Sequence, residues 1–288
     1  MTLLNENRQS PDAGLYFVAT PIGTASDITL RALDLLQNVD ILAAEDTRNT
    51  RRLLDIHGVK LEGRPLIPYH DHNGAQQRPR LLAALAEGKT VAYVSDAGTP
   101  LLADPGYSLA RAVIDAGLSV FAAPGASALL AALSVAGLPT DRFYFAGFLP
   151  PKTKARRDLL ASYGAIPGTL VFYESPKRLG KTLADMADNL GSRSAAVCRE
   201  LTKKFEETRR GSLSDLAEIY ATLTPKGEIV IVVGPGEKPA ADEDEILNAL
   251  ATSIATGTSK RDAIAEVAAT FDLPPKQVYQ LALTLKPR

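Results

Sequence analysis

Short apolar runs separated by amphipathic stretches of helical period set the architecture of this chain. Residues 15–19, 41–44, 91–94 and 120–122 are short and apolar, and 27–36, 76–86 and 109–115 repeat apolar residues at three- and four-residue spacing. The first kind suits buried strands and the second suits helices. Strand, helix, strand in that order needs a crossover connection, which predicts a mostly parallel sheet with helices on its faces. The pattern restarts after Pro124-Gly125, with 143–148, 169–173, 195–199 and 228–233 reading as strands interleaved with helices. A turn-rich stretch, G-P-G-E-K-P-A-A-D-E-D, covers 234–244, and beyond it 245–256, 259–270 and 274–285 read as helices. The expected fold class is α/β: two α/β domains with a small helical appendage at the C-terminal end. The boundaries drawn are a flexible N-terminus at 1–13, domains at 14–123 and 124–236, and the appendage at 237–288. No repeat of solenoid period is visible.

Open parallel sheets bind ligands beyond the carboxyl ends of their strands, so chemistry is sought in the loops that follow. The richest is Val94–Gly106, V-S-D-A-G-T-P-L-L-A-D-P-G, in which Asp96 stands where the strand ends. Its two Gly-Pro-Asp clusters let backbone amides approach a ligand without Cβ clashes. The first strand ends in T-P-I-G at 20–23, with Asp27 placed to cap a helix. This is neither a dinucleotide-binding fingerprint nor a Walker loop. The second strand ends in A-E-D-T-R-N-T-R-R at 44–52. Acids at a strand end followed by three arginines suit a phosphate-bearing substrate; a charged helix start reads the same way. Y-H-D-H-N at 69–73 points two imidazoles the same way if extended, as a metal site requires. No acid or cysteine at useful spacing completes a ligand set, so no metal is expected. P-G-A-S-A at 124–128 opens a helix, and F-Y-E-S-P at 172–176 and R-E-L-T-K-K at 199–204 again put polar groups at strand ends. Basic residues cluster at 48–52, 152–157, 203–204 and 209–210. Each alone reads as a solvated face, and together they read as one polyanion-binding surface.

Charge tempers that reading. Thirty-two basic against thirty-three acidic residues leave a formal charge of −1, so the chain does not coat itself in nucleic acid, and any such contact is local. One cysteine, Cys198, excludes an internal disulfide and a cysteine-rich zinc site, which makes the cytoplasm the default location. The apolar stretch 14–20 is too short to span a bilayer and 1–12 lacks a signal-peptide core, so no membrane role is expected.

Read in order, the motifs carry a resemblance: G-L-Y-F-V-A-T-P-I-G, A-A-E-D-T-R-N-T, Y-H-D-H-N, V-S-D-A-G-T-P-L-L-A-D-P-G and L-P-T-D-R-F-Y-F-A-G-F-L-P-P-K. T-L-V-F-Y-E-S-P-K-R-L, R-E-L-T-K-K-F-E-E and K-G-E-I-V-I-V-V follow. From Gly14 to Val233 the chain resembles the tetrapyrrole methylase superfamily, and within it the bacterial branch that acts on ribosomal RNA. Porphyrin-methylating members have a first loop richer in glycine, and Ala19 and Thr24 stand where other members often have Pro and Asn. The resemblance implies a two-domain, usually dimeric α/β fold binding S-adenosylmethionine between its domains. It also implies methyl transfer to the ribose 2′-oxygen of a cytidine in the decoding region of 16S rRNA, within the small ribosomal subunit. By position it implies cofactor contacts from Pro21, Ile22 and Gly23, from Asp96, Ala97, Gly98 and Thr99, and from Ser127 and Ala128. Phe172, Tyr173 and Glu174, with Gly227, Glu228 and Ile229, supply the second domain's share.

A ribose hydroxyl is a poor nucleophile, so a base or an oxyanion-stabilising cation should assist it. The candidates are Glu45, Asp46, His70, His72 and Glu174 as bases and Arg48 as the cation, with the 46/48 and 70/72 segments favoured. Arg51, Arg52, Lys152, Lys154, Arg156 and Arg157 are the expected phosphate contacts. The pair of helices around Lys260 and Tyr279 resembles a helix-turn-helix, suited either to docking on rRNA or to extending a dimer. Two rival readings remain: a methylase of a small tetrapyrrole, and a non-catalytic RNA-binding protein on the same fold.

Overall fold

The computed structural model describes residues 11–103, 105–236, 243–271 and 273–284. Most of the expected flexible N-terminus, the centre of the 234–244 linker, Asp104, Asp272 and the end of the last helix therefore lie outside the described residues. The chain divides into two compact units, Met1–Gly236 and Glu237–Arg288.

The first unit opens with β1 (Gly14–Val18), α1 (Leu30–Asn38), β2 (Ile41–Ala44), α2 (Thr47–Ile56) and β3 (Leu66–Pro68). Then come α3 (Gly74–Ala86), β4 (Thr90–Val94), α4 (Tyr107–Asp115) and β5 (Val120–Ala123). The five strands form a sheet of order β3-β2-β4-β1-β5, parallel throughout. Every residue of β1, β2 and β4 is buried, as expected of strands covered on both faces. One face packs Leu15, Phe17, Tyr93 and Leu81, and the other packs Tyr16, Val18, Leu36 and Leu42. The sequence reading missed β3: at three residues it is too short to show alternation, and Pro68 is tolerated because the strand lies at the edge.

The second half of the unit runs α5 (Ala128–Ala136), β6 (Phe143–Phe148), α6 (Thr153–Tyr163), β7 (Thr169–Glu174), α7 (Leu179–Leu190) and β8 (Ser194–Arg199). It closes with β9 (Glu207–Ser212), α8 (Leu213–Thr222) and β10 (Ile229–Val233). The sheet order is β6-β7-β10-β8-β9, and only β6 and β7 pair in parallel. This sheet is thus mixed, with β8 joined to β9 by a hairpin loop at 200–206 rather than by a helix. β9, sequence E-T-R-R-G-S, escaped notice because an edge strand with no buried face carries no apolar alternation.

The second unit holds α9 (Glu243–Ala255), α10 (Lys260–Phe271) and α11 (Pro275–Ala282) around its own core of Ile246, Leu250, Ile264, Val267 and Val278. Among the described residues no helix is long and apolar enough to cross a membrane.

Candidate functional site

The loops after β1, β4 and β5 are laced together. Thr20 N donates to Gly98 O at 2.9 Å, Gly98 N returns the bond to Thr20 O at 3.0 Å, and Thr99 Oγ1 donates to Ala126 O at 3.0 Å. Gly98 adopts φ +79°, and a Cβ there would stand 3.2 Å from Ile22 Cγ2, so the turn needs glycine on both counts. Beyond it, Leu101 and Ala103 hold left-handed backbone at φ 76° and 63°, the kind of strain that collects at ligand-handling loops.

These loops and the strand ends of the second sheet enclose a cavity of about 360 Å³. Ile22, Ala97, Gly98, Thr99, Ser127 and Ala128 line it from one half; Tyr173, Glu174, Gly227, Glu228 and Ile229 line it from the other. The remaining expected cofactor residues lie elsewhere. Pro21, Gly23 and Asp96 turn into a neighbouring cleft. Phe172 is fully buried in the opposite core, because alternation along β7 sends Tyr173 to the cavity and Phe172 away from it. The reading also missed wall residues. Leu102 and Ala103 sit inside a quoted motif, and Ser175 and Pro176 directly follow Glu174. Cys198, Leu201 and Val230 line the wall from β8, the 200–206 loop and β10, and Phe148 from β6; nothing in their local pattern marks them.

Two cavity groups have distinct chemistry. Ser127, only 6% exposed, precedes α5 without capping it, and its hydroxyl has no hydrogen-bond partner among the described residues. Most buried hydroxyls are hydrogen-bonded, so this one stands out among the residues of the cavity. Glu174, by contrast, is fully engaged: Ser175 N donates to it at 2.7 Å, Thr182 Oγ1 at 2.6 Å, and Arg178 Nε lies 3.3 Å away. It braces the loop after β7, which leaves little of it free to act as a base.

The adjacent cleft, about 310 Å³, is lined by Pro21, Gly23, Asn49, Arg52, Ser95 and Asp96. Ile22 and Ala97 face the cavity while their neighbours Pro21, Gly23 and Asp96 face the cleft, so the two spaces share a wall. Beside it the candidate bases separate. Asp46 caps α2 through Arg48 N at 2.8 Å and grips the Arg48 side chain, with Nη2 at 2.6 Å. These bonds hold its carboxyl down at about 2, which makes it a feeble proton acceptor. Glu45 accepts from Asp96 N at 3.1 Å. Burial pushes its carboxyl above the usual range; the bond from Asp96 N opposes this, and the charges of Asp96 and Asp71 add to it.

His70 and His72 lie in a turn, not on an extended segment: Asn73 N and Gly74 N both donate to His70 O. Their rings still meet edge to face at 5.9 Å. Among the described residues no group of three His, Cys, Asp or Glu side chains is arranged to hold a metal.

The basic clusters part company as well. Arg51 and Arg52 are exposed on α2. Lys152 is exposed, and Lys154 pairs with Asp158 at 2.8 Å on the surface. Arg156 is no phosphate contact: it is 4% exposed, bound to Asp185 by Nε at 2.7 Å and to Pro151 O at 3.2 Å. Arg157 is half-exposed and spans Asp185 and Asp188 at 2.6 and 3.1 Å. Arg210 caps the C-terminal end of α5, donating to Ala136 O at 3.1 Å. The acidic partners of Arg156 and Arg157 lie on α7, and the α5 carbonyl that Arg210 caps is farther still along the chain, so no local pattern reveals these pairings.

Two α/β sheets whose loops close on one cavity define a fold found among methyltransferases. By similarity of structure, the chain aligns over 80% of its length with 97% of the methyltransferase CobJ, at TM-score 0.59 and 18% identity. A uroporphyrin-III C-methyltransferase from Thermus thermophilus, solved with S-adenosyl homocysteine, gives TM-score 0.52 at 20% identity, covering 78% of this chain and 97% of that one. The family described as Tetrapyrrole (Corrin/Porphyrin) Methylases matches residues 14–217, and the chain belongs to it. Relatives named ribosomal RNA small subunit methyltransferase I are much more similar in sequence. That of Mesorhizobium japonicum is 49% identical over 96% of this chain and 93% of its own length, and that of Escherichia coli O157:H7 is 47% identical over 86% of each.

Proposed function

We propose that this chain transfers a methyl group from S-adenosylmethionine to the ribose 2′-oxygen of a cytidine in the decoding region of 16S rRNA, within the small ribosomal subunit. The observation that carries the reading is the shared wall: a mainly apolar cavity beside an arginine-bearing cleft, separated by 21–23 and 96–97. The named relatives supply the choice of ribosomal RNA over a small tetrapyrrole.

The cavity suits the cofactor. Its volume is in the range of small-molecule sites, and its walls combine Ile22, Leu102 and Leu201 with few polar groups. The free Ser127 hydroxyl and the N-terminal amides of α5 suit a carboxylate such as the cofactor's own. When bound, S-adenosylmethionine supplies a methyl group already activated on a sulfonium. The cleft would orient the ribose, Arg52 and the neighbouring Arg51 would meet its phosphates, and Glu45 would take the proton of the 2′-hydroxyl. The halves meeting at 123/124 act as the two jaws of the cofactor site.

The active form is a homodimer in the cytoplasm, where small subunits are made. Exposed Phe143 and Tyr144 on edge strand β6, next to exposed Leu130 of α5, offer an apolar face for the second copy.

The test is incubation with radiolabelled S-adenosylmethionine and small subunits from a strain lacking the gene. Label in a 2′-O-methylated cytidine of 16S rRNA is expected. Cofactor binding with no label in RNA would refute the reading and favour a small acceptor.

A further inference from the structure

We infer that the β8–β9 hairpin loop carries a nucleobase platform, Lys204–Phe205, that grips the RNA strand beside the target nucleotide. The inference rests on the proposed RNA substrate. Phe205 is 62% exposed, and Lys204 Nζ stands 5.6 Å from its ring centroid. Most of this phenyl ring is therefore in solvent, with a cation beside it. Lys204 has no ion pair among the described residues, whereas its neighbour Lys203 is held by Glu200 at 3.0 Å and Glu228 at 2.9 Å.

The loop that displays this pair is built to stay put. Glu200 and Thr202 take left-handed backbone at φ 51° and 63°, and Thr202 N donates to Glu206 Oε2 at 2.9 Å. The loop is also fastened across to the first half, since Thr24 N donates to Thr202 Oγ1 at 3.1 Å. A Cβ on Gly23 would come within 2.5 Å of Lys203 Cγ. Gly23 lines the cleft that holds Arg52, and Leu201, four residues before Phe205, lines the cofactor cavity. A loop tied to both spaces thus carries an exposed aromatic ring and an ammonium with no ion pair among the described residues.

That pairing matches single-stranded RNA. Bases splayed from a strand stack on aromatic rings, and a lysine beside the ring neutralises the adjoining phosphate. Stacking of this kind is sequence-tolerant, so the platform positions the strand and leaves base choice to the cleft.

The test compares Phe205→Ala, Phe205→Leu, Phe205→Trp and Lys204→Gln in the full chain, with small subunits as substrate. Stacking on one base is worth about a tenfold change in affinity. Phe205→Ala is therefore expected to raise KM for the subunit by about tenfold. Its kcat and cofactor Kd should stay within about twofold of wild type. Phe205→Trp should recover the wild-type KM while Phe205→Leu does not. Lys204→Gln should reduce the slope of log K against log salt by about one. An unchanged KM in Phe205→Ala, or full recovery by leucine, overturns the platform while leaving RNA methylation intact. Failure of the wild-type protein to label RNA removes the methylation reading and the platform together.

Discussion

Glu45 and Asp46 are adjacent carboxylates with opposite fates, and geometry alone separates them. Asp46 spends its lone pairs on the α2 cap and on Arg48, so it stays ionised to about pH 2. Any stability from that cap is present above its ordinary value of 3.8 and disappears as pH falls toward about 2. Glu45 is partly desolvated, holds only the Asp96 amide, and ionises above its ordinary value of 4.5. A base with a raised pKa is more nearly matched to a neutral working pH. Glu45→Gln keeps an oxygen for Asp96 N and removes only the base. It should lower kcat by about a hundredfold with cofactor Kd unchanged, since general-base catalysis contributes on that scale. In wild type kcat/KM should rise with pH through an apparent pKa above 4.5 that the variant lacks. Asp46→Asn, which retains a cap, should cost less than about tenfold. A hundredfold loss in Asp46→Asn with little loss in Glu45→Gln would return the choice of base to Asp46.

At the level of elements, the sequence revealed whatever repeats locally and concealed whatever pairs at a distance. β1, β2 and β4 announced themselves as apolar runs because both of their faces are covered. The Gly98 turn was legible because a left-handed residue in a tight loop calls for glycine. The antiparallel half of the second sheet was not, since β9 presents arginines and its pairing with β8 depends on register rather than composition. K-T-K-A-R-R looked like a surface for phosphates, yet on α6 it divides by helical position. Lys154 points out, while Arg156 turns in toward Asp185 of α7, 29 residues away. Breaking a buried pair costs about 3 kcal/mol or more where it strands the partner charge, and about 1–3 kcal/mol here, where Arg157 Nε still holds Asp185 at 2.6 Å. Arg156→Ala should therefore lower the free energy of unfolding by that amount in denaturant titration. Lys154→Ala, losing only an exposed pair, should change it by less than about 0.5 kcal/mol. A stable Arg156→Ala with a reduced salt slope on RNA would instead restore that arginine to the phosphate surface.

Across the whole molecule, chemistry and appendage are separable by their cores. Among the described residues, those that line the cavity and the neighbouring cleft all belong to the unit ending at Gly236. The helices α9–α11 bury Ile246, Leu250, Ile264, Val267 and Val278 among themselves. Tyr279 on α11 is half-exposed. A unit with its own core is expected to serve the reaction through the macromolecular substrate or the second copy. A chain ending at Gly236 should bind S-adenosylmethionine within about twofold of the full chain, as calorimetry would measure, because no wall residue has been removed. The same truncated chain separates the two roles open to the helices. If they dock on rRNA, KM for the small subunit rises while the protein sediments as the full chain does. If they extend a dimer, the sedimentation coefficient drops to that of a single copy. Loss of cofactor binding on truncation would show instead that the first unit depends on the second to hold its cavity in shape.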